Sequence, residues 1–458
     1  MSVWLRALAA VSLLCAGAGA VGAQPAPAGP PGTFAFVEVD VLPMDRDVRL
    51  TSQTVVVRDG RIVAIGAHDD VEVPAEATTI AGAGKVLMPG LAEFHGHVPG
   101  GDDPAYLADT LALYLANGVT LVRSMSGDAT HPALRARIER GETDGPTLVV
   151  ASPWLRGESD ADVTAEVQAH HAAGFDLLKL GSIPAGTFPA MVTAASAVGL
   201  PFAGHIPEGV PLETALDARQ ASIDHLDRYV EFLVPRGIDT QGREAGWFGS
   251  GWVQWADRGR IDDAVARTRA AGTWNVPTLS LVEHMASPET PEAMLQWPEM
   301  RYMRAAERER WRRAKHEYAT RKTFQPDAAQ ALVQLRRELL KALHDGGAPV
   351  VLGSDAPQFF NVPGFSIHRE MAMMHAAGLT PYEVLVTGTR NAAQALVTPD
   401  AFGTVEVGRR ADLMLLAGDP REDLSHAQTP LGVMARGRWW PREALDARLA
   451  EIAERHAE

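Results

Sequence analysis

Eight short apolar segments, spread along the chain and separated by helical stretches, constrain the fold more than any other feature. The first runs into His95-Gly96-His97. The others are residues 119–124 (VTLVRS), 147–152 (TLVVAS), 175–180 (FDLLKL), 201–205 (PFAGH), 221–225 (ASIDH), 276–281 (VPTLSL) and 349–355 (PVVLGSD). Amphipathic stretches such as 106–116 and 161–173 lie between them. Apolar strands that alternate with helices read as parallel strands, and eight such repeats suit a closed (β/α)8 TIM barrel over residues 89–399. An open doubly wound sheet is the alternative fold. No G-x-G-x-x-G follows an early strand, so a dinucleotide site has no support.

Strand patterning also flanks the barrel. Residues 54–58 and 61–65 straddle Asp59-Gly60, a strong hairpin turn, and residues 78–80 and 85–88 continue the pattern. Residues 403–416 and 433–440 are β-patterned again. Residues 34–88 with 400–440 are therefore expected to form one composite β-sandwich domain, and residues 441–458 a charged terminal helix.

At the N-terminus, Arg6, an apolar run over 7–20 and Val21-Gly22-Ala23 read as a signal peptide over residues 1–23. A Pro/Ala/Gly-rich linker over 24–33 follows. The expected location is therefore outside the cytoplasm, periplasmic or secreted. The single cysteine, Cys15, leaves with the signal, which excludes disulfide and thiolate chemistry in the mature chain. A net charge of −15, from 57 acidic and 42 basic residues, argues against nucleic acid and anionic membrane surfaces. The expected partner is a small-molecule substrate, with homo-oligomer assembly left open.

In a barrel of this type chemistry sits at the C-terminal ends of the strands. Those ends carry His95, His97, Lys179, His205, His225 and Asp355. His95 and His97, at i and i+2, share one face of a strand, with Gly96 taking no space between them. Five of the six are ordinary ligands for a borderline metal such as zinc. Lys179 is the odd member. A buried lysine with a lowered pKa can be neutral and can react with CO2 to give an anionic carbamate. Tyr229, four residues after His225, and His368, near Phe365 and Ser366, are candidate substrate contacts. His131, His170 and His171 read as surface residues. The basic stretch 307–318 reads as a solvated helix laced with i,i+4 pairs, rather than as a site for a substrate carboxylate.

Residues 85–97, Lys179, His205, His225 and Gly353-Ser354-Asp355 resemble the amidohydrolase superfamily. The ending supports this, with Leu379-Thr380-Pro381, Thr389-Arg390-Asn391-Ala392-Ala393 and residues 403–416. The branch most similar is that of imidazolonepropionase-related and prolidase-like metal-dependent hydrolases. The resemblance implies two divalent metal ions, most often zinc. One would be held by His95, His97 and Asp355, the other by His205 and His225, with carbamylated Lys179 and a hydroxide bridging them. It implies hydrolysis of a C–N amide bond, in dipeptides or N-acyl amino acids, with Asp355 as general base and acid. Two departures bear on the substrate. Glu93 stands where many relatives carry Asp, and residues 153–157 lack the histidine that prolidase-like relatives place there against the substrate carbonyl. Hydrolysis of a cyclic amide, imide or lactone is the enzymatic alternative. An exported binding protein that kept the barrel and lost catalysis is the other, and the complete ligand set argues against it.

Overall fold

A computed structural model describes residues 32–181, 183–240, 244–321, 324–396 and 401–457. The signal segment and nearly all of the linker lie outside the described residues.

The first five strands are β1 (Phe34–Val41), β2 (Leu50–Arg58), β3 (Arg61–Ala67), β4 (Thr78–Ala81) and β5 (Val86–Pro89). The barrel strands are β6 (Leu91–Gly96), β7 (Val119–Ser124), β8 (Thr147–Trp154), β9 (Leu177–Leu180), β10 (Phe202–Gly204), β11 (Ser222–Asp224) and β12 (Trp274–Val276). The last three are β13 (Leu413–Leu416), β14 (Gly432–Ala435) and β15 (Arg438–Pro441).

β6 to β12 pair in parallel in sequence order. The eighth segment closes the ring without becoming a regular strand. The Val351 amide donates to Asn275 O (2.9 Å) on one side; on the other, the amides of Phe94 and Asp355 exchange bonds with Leu352 O (2.9 Å) and His95 O (2.8 Å). Gly353 permits that approach, because a Cβ there would lie 2.8 Å from the His95 nitrogen.

Side-chain alternation sets which residues face the lumen. In β9, Leu178 and Leu180 join the core between strands and helices, while Leu177 packs inside the barrel against Met125, Ala151 and Ala203. Lys179 shares the face of Leu177. A one-residue slip would withdraw two leucines from the outer core, at roughly 1.5–3 kcal/mol each, and thrust an ammonium into it. The register is therefore strongly specified.

The seventh segment differs from expectation. β12 ends at Val276, and a helix occupies Leu279–Ala286. Pro277 has no N–H to continue a ladder, and Thr278 turns the chain with φ 43°. Of residues 403–416, only Leu413–Leu416 forms a strand. The helix Pro104–Ala116 begins at Asp103, which accepts from the Tyr106 amide (3.0 Å), and the helix Asp160–Ala172 begins at a Ser159–Asp162 capping box. The C-terminal helix Arg442–Arg455 docks on Pro104–Ala116 through buried Asp109, which meets Arg448 (3.2 Å), Arg455 (3.3 Å) and His456 (3.1 Å).

The flanking strands form one mixed sheet in the order β15-β14-β13-β5-β1-β2-β3, with β4 also on β1. β1 bends at Glu38 (φ 58°), so its first half pairs β4 and its second half β5. One face of β5 and β13, with Leu87, Leu413 and Leu415, packs on a core of Phe36, Val55 and Met434. The other face, with Val86, Met88, Met414 and Leu416, joins the barrel's own core. Both central residues of the β2–β3 turn have positive φ, Asp59 at 49° and Gly60 at 77°, as a type I′ turn requires.

Gly60 combines that left-handed φ with a close approach, since a Cβ would lie 2.9 Å from Arg436 O. Gly60→Ala is expected to destabilise the protein by at least about 1–2 kcal/mol, read as a lowered Tm with metal and buffer held constant. An unchanged Tm would mean that the turn is not so constrained.

Candidate metal centre

All six strand-end side chains meet at the C-terminal mouth of the barrel. Gly96 is forced by packing, because a Cβ there would lie 2.8 Å from both the Tyr114 hydroxyl and Val122. His95 and His97 flank it. Lys179 comes from the middle of β9, His205 follows β10, and Asp355 ends the closing segment. His225 follows β11, where strict alternation would send it away from Asp224. Its φ of 60° breaks the alternation and swings the imidazole inward; Asp355 is likewise left-handed, at φ 66°.

Asp355 is the hub. Its Oδ1 lies 3.5 Å from His95 Nε2 and 3.2 Å from His97 Nε2, and its Oδ2 lies 3.6 Å from His225 Nδ1. Donor atoms of His95, His97 and Asp355 all fall within 4.8 Å of one another. Lys179 Nζ is 3.3 Å from His95 Nε2. The rings of His205 and His225 stack at 4.6 Å. Both Asp355 oxygens are buried and, among the described residues, none gives them a hydrogen bond of regular geometry, Gln358 approaching only closely enough to pull the acid's pKa down slightly. An orphaned carboxylate ringed by imidazoles fits a cation, since an unpaired buried charge is otherwise costly. The side chains of His97 and His205 are about a quarter exposed, so the site opens on their side.

Neighbours that the sequence reading did not single out orient the imidazoles. His95 Nδ1–H donates to Asp224 Oδ2 (2.6 Å), which leaves Nε2 free as a ligand atom. His205 Nδ1 pairs with Asp227 (2.7 Å), and His225 Nδ1 shares a hydrogen bond with Thr278 (2.8 Å). Asp224 is itself gripped by Arg123 Nη2 (3.0 Å) and by the Ser222 hydroxyl (2.6 Å), and Arg123 Nε donates to Phe94 O (2.6 Å). Asp224 and Ser222 share a strand face, which was the available signal. Glu93 is not among the ligands: it accepts from the Ser354 amide (2.8 Å) and the His95 amide (3.1 Å), tying β6 to the closing segment.

The electrostatics follow from burial. Desolvation lowers His95 and His225 well below the usual histidine range and His97 to about 3, with Lys179 adding to each, so the imidazoles are neutral as ligands must be. Desolvation also lowers Lys179, against the pull of Asp224 and Asp355. It raises Asp355 well above the carboxylate range and pushes Glu93 up to about 8. Burial would raise Asp224 too, but Arg123 and Lys179 outweigh it and hold it low.

The sequence profile of the amidohydrolase family matches residues 86–440. The chain belongs to that family. Amidohydrolases are metal-dependent hydrolases, and the His95-His97-Asp355 trio of this one fits a metal ion. A segment of 53 residues is 45% identical to an enamidase of Eubacterium barkeri, over 12% of this chain and 14% of the relative. Another of 92 residues is 37% identical to an imidazolonepropionase of Haloarcula marismortui, over 19% of this chain and 20% of the relative. The chain thus spans a fifth or less of these curated relatives in the matched segments. The fold is similar to the crystal structure of a Xaa-Pro dipeptidase with bound methionine in its active site: TM-score 0.66, 19% identity, 90% of this chain and 100% of that one.

Two expected substrate contacts of this amidohydrolase lie elsewhere. Tyr229 is fully buried, and its hydroxyl bonds Thr268 (2.7 Å) and Asn275 (2.9 Å), so it is a packed tyrosine turned from the centre. His368 lies on the helix Phe365–Ala376, buried with Nε2 on Asn117 O (3.0 Å) at the end of Pro104–Ala116 rather than at the metal centre. His131, expected at the surface, is buried near Pro99 because it starts the helix His131–Glu139 against that loop. His171 is exposed and His170 half-buried. The helix Ala305–Thr320 carries the expected lacing, with Glu309 meeting Arg312 (2.7 Å) and Arg313 (3.6 Å).

Asp224→Asn keeps the shape of the His95 partner and removes its charge. It is expected to weaken metal binding about 10- to 100-fold in a competition titration against a chromogenic chelator. An affinity equal to that of the unaltered protein would show that Asp224 does not support the centre.

Proposed function

We propose that this amidohydrolase is an exported enzyme that cleaves C–N amide bonds of dipeptides or N-acyl amino acids. The observation that carries the reading is Asp355, a buried carboxyl with no hydrogen bond of regular geometry that sits among neutral imidazoles. That donor set suits zinc-type divalent ions. His95, His97 and Asp355 would hold one, and His205 and His225 a second. Lys179 would bridge them as a carbamate. When bound, such ions lower the pKa of water and polarise a carbonyl.

The chain's own residues supply the rest. Asp355 takes the proton of the attacking water and returns it to the leaving amine nitrogen. Burial lowers Lys179 toward the neutral amine, the form that adds to CO2. Asp224, Asp227 and Thr278 keep the imidazoles in one orientation, so no reorganisation is needed at the moment of reaction. The matched segments of an enamidase and an imidazolonepropionase support a second reading, hydrolysis of a cyclic amide, imide or lactone.

Purified protein loaded with zinc and bicarbonate, screened against dipeptides, N-acyl amino acids, cyclic amides, imides and lactones, is expected to cleave linear amides. It should hold about two metal ions per chain by elemental analysis, with metal content and activity both lost in Lys179→Ala. Cleavage of cyclic substrates alone would select the second reading, and no cleavage with no bound metal would sink both.

Export is supported by the Arg6, apolar 7–20 and Val21-Gly22-Ala23 pattern. Among the described residues no helix is long and apolar enough to cross a membrane. Expression of the full chain in a bacterial host should give mature protein beginning at Gln24 in the periplasmic or culture fraction. Full-length protein confined to the cytoplasm would exclude export.

A further inference from the structure

Two aromatic rings stand beside the stacked histidines His205 and His225, and the metal chemistry uses neither. Trp154, at the end of β8, has its indole 5.7 Å from the His205 ring and 5.8 Å from Lys179 Nζ. It is 38% exposed, whereas every other Phe, Tyr or Trp among the described residues is buried or half-buried. Its place is fixed from below: it rests on Gly181, where an added Cβ would lie 2.6 Å from the indole. Trp154 is thus held beside a polar centre with its ring open to solvent, the kind of aromatic lining that ligand sites use.

Phe248 is the second ring, 5.6 Å from His225 and half-buried. Its backbone is left-handed, at φ 48° and ψ 27°, a conformation that a bulky residue adopts only when its surroundings hold it there. Neighbours hold it there. The Arg336 guanidinium lies 5.6 Å over its face, and Arg336 also donates to Pro277 O (2.7 Å). Trp247 meets it edge-on at 5.8 Å and carries the aromatic wall on to Tyr318 at 4.9 Å.

One ring thus flanks each of the stacked histidines, exposed Trp154 beside His205 and half-buried Phe248 beside His225. We propose that Trp154 and Phe248 form a specificity site for an aromatic group adjoining the scissile bond, so that the preferred substrates are amides of aromatic amino acids or aromatic acids. This rests on the amide-hydrolase reading above. A ring contact with each residue corresponds to roughly 5- to 150-fold in affinity.

Two matched pairs test it: N-acetylphenylalanine against N-acetylalanine, and benzoylglycine against acetylglycine. Calorimetric binding of 3-phenylpropionate against propionate runs beside them. The expected result is a kcat/KM ratio of at least about fivefold in one pair and the same preference in binding. Both should fall toward unity in Trp154→Ala and Phe248→Ala, and be kept by Trp154→Phe. Ratios within twofold in both pairs and in binding, or a preference that survives both alanine variants, would overturn the proposal. Should no amide be cleaved, the amide reading fails, while the binding comparison still decides the aromatic site.

Discussion

The buried contact of Asp224 with His95 and Arg123 ties the metal centre to the barrel interior. A carboxylate with no exposure is tolerable only because Arg123 neutralises it, and Arg123 is tolerable only because Asp224, Ser222 and Phe94 O satisfy its donors. The result is a polar rod through an apolar lumen, from Arg123 in β7 to the imidazole at the end of β6. Its outer end fixes which nitrogen of His95 carries the proton. Loss of Arg123 or Asp224 leaves the other charged and unpaired in the lumen, so the two behave as a unit.

Around this rod the ligands reach one point by leaving regular geometry. His225 and Asp355 adopt left-handed backbone, and their amides are held in place by Val276 O and His95 O, both at 2.8 Å. Glu93 then fastens β6 to the closing segment. The strain is local and the support is shared by three neighbouring strands. Strained residues persist where surroundings over-determine them, and here they bring a carboxylate and an imidazole onto one side of a centre that alternation would divide.

Much of this was legible in the sequence. β7 was readable to the residue, and the strand-end histidines, Lys179 and Asp355 could be collected because a parallel barrel delivers its strand ends to one mouth. The reading gave way where local chemistry overrode pattern. Pro277 and Thr278 cut the seventh strand short although residues 279–281 are apolar enough to extend it. Tyr229 has the spacing of a substrate contact, yet its hydroxyl finds Thr268 and Asn275 in the core, and a buried phenol goes where its partner is. Asp224 carries no sequence signal beyond the strand face it shares with Ser222, because the acceptor of a histidine proton is fixed only by the folded geometry. Trp154 lies in residues 153–157, which the sequence marks only by a missing histidine, and β8 runs on far enough to carry its ring to the mouth.

The central pairing of the flanking sheet bears on when the chain can fold. β5 lies between β1 and β13, and it runs through Gly90 directly into β6, the strand that carries His95. During synthesis β1 to β5 emerge first, but the far edge of β5 stays open until residue 416 has appeared. Until then the first barrel strand hangs from an unfinished sheet with exposed Val86 and Met88. The flanking sheet therefore cannot be complete before residue 416 has appeared, whereas the ligands of the metal centre are all present by Asp355.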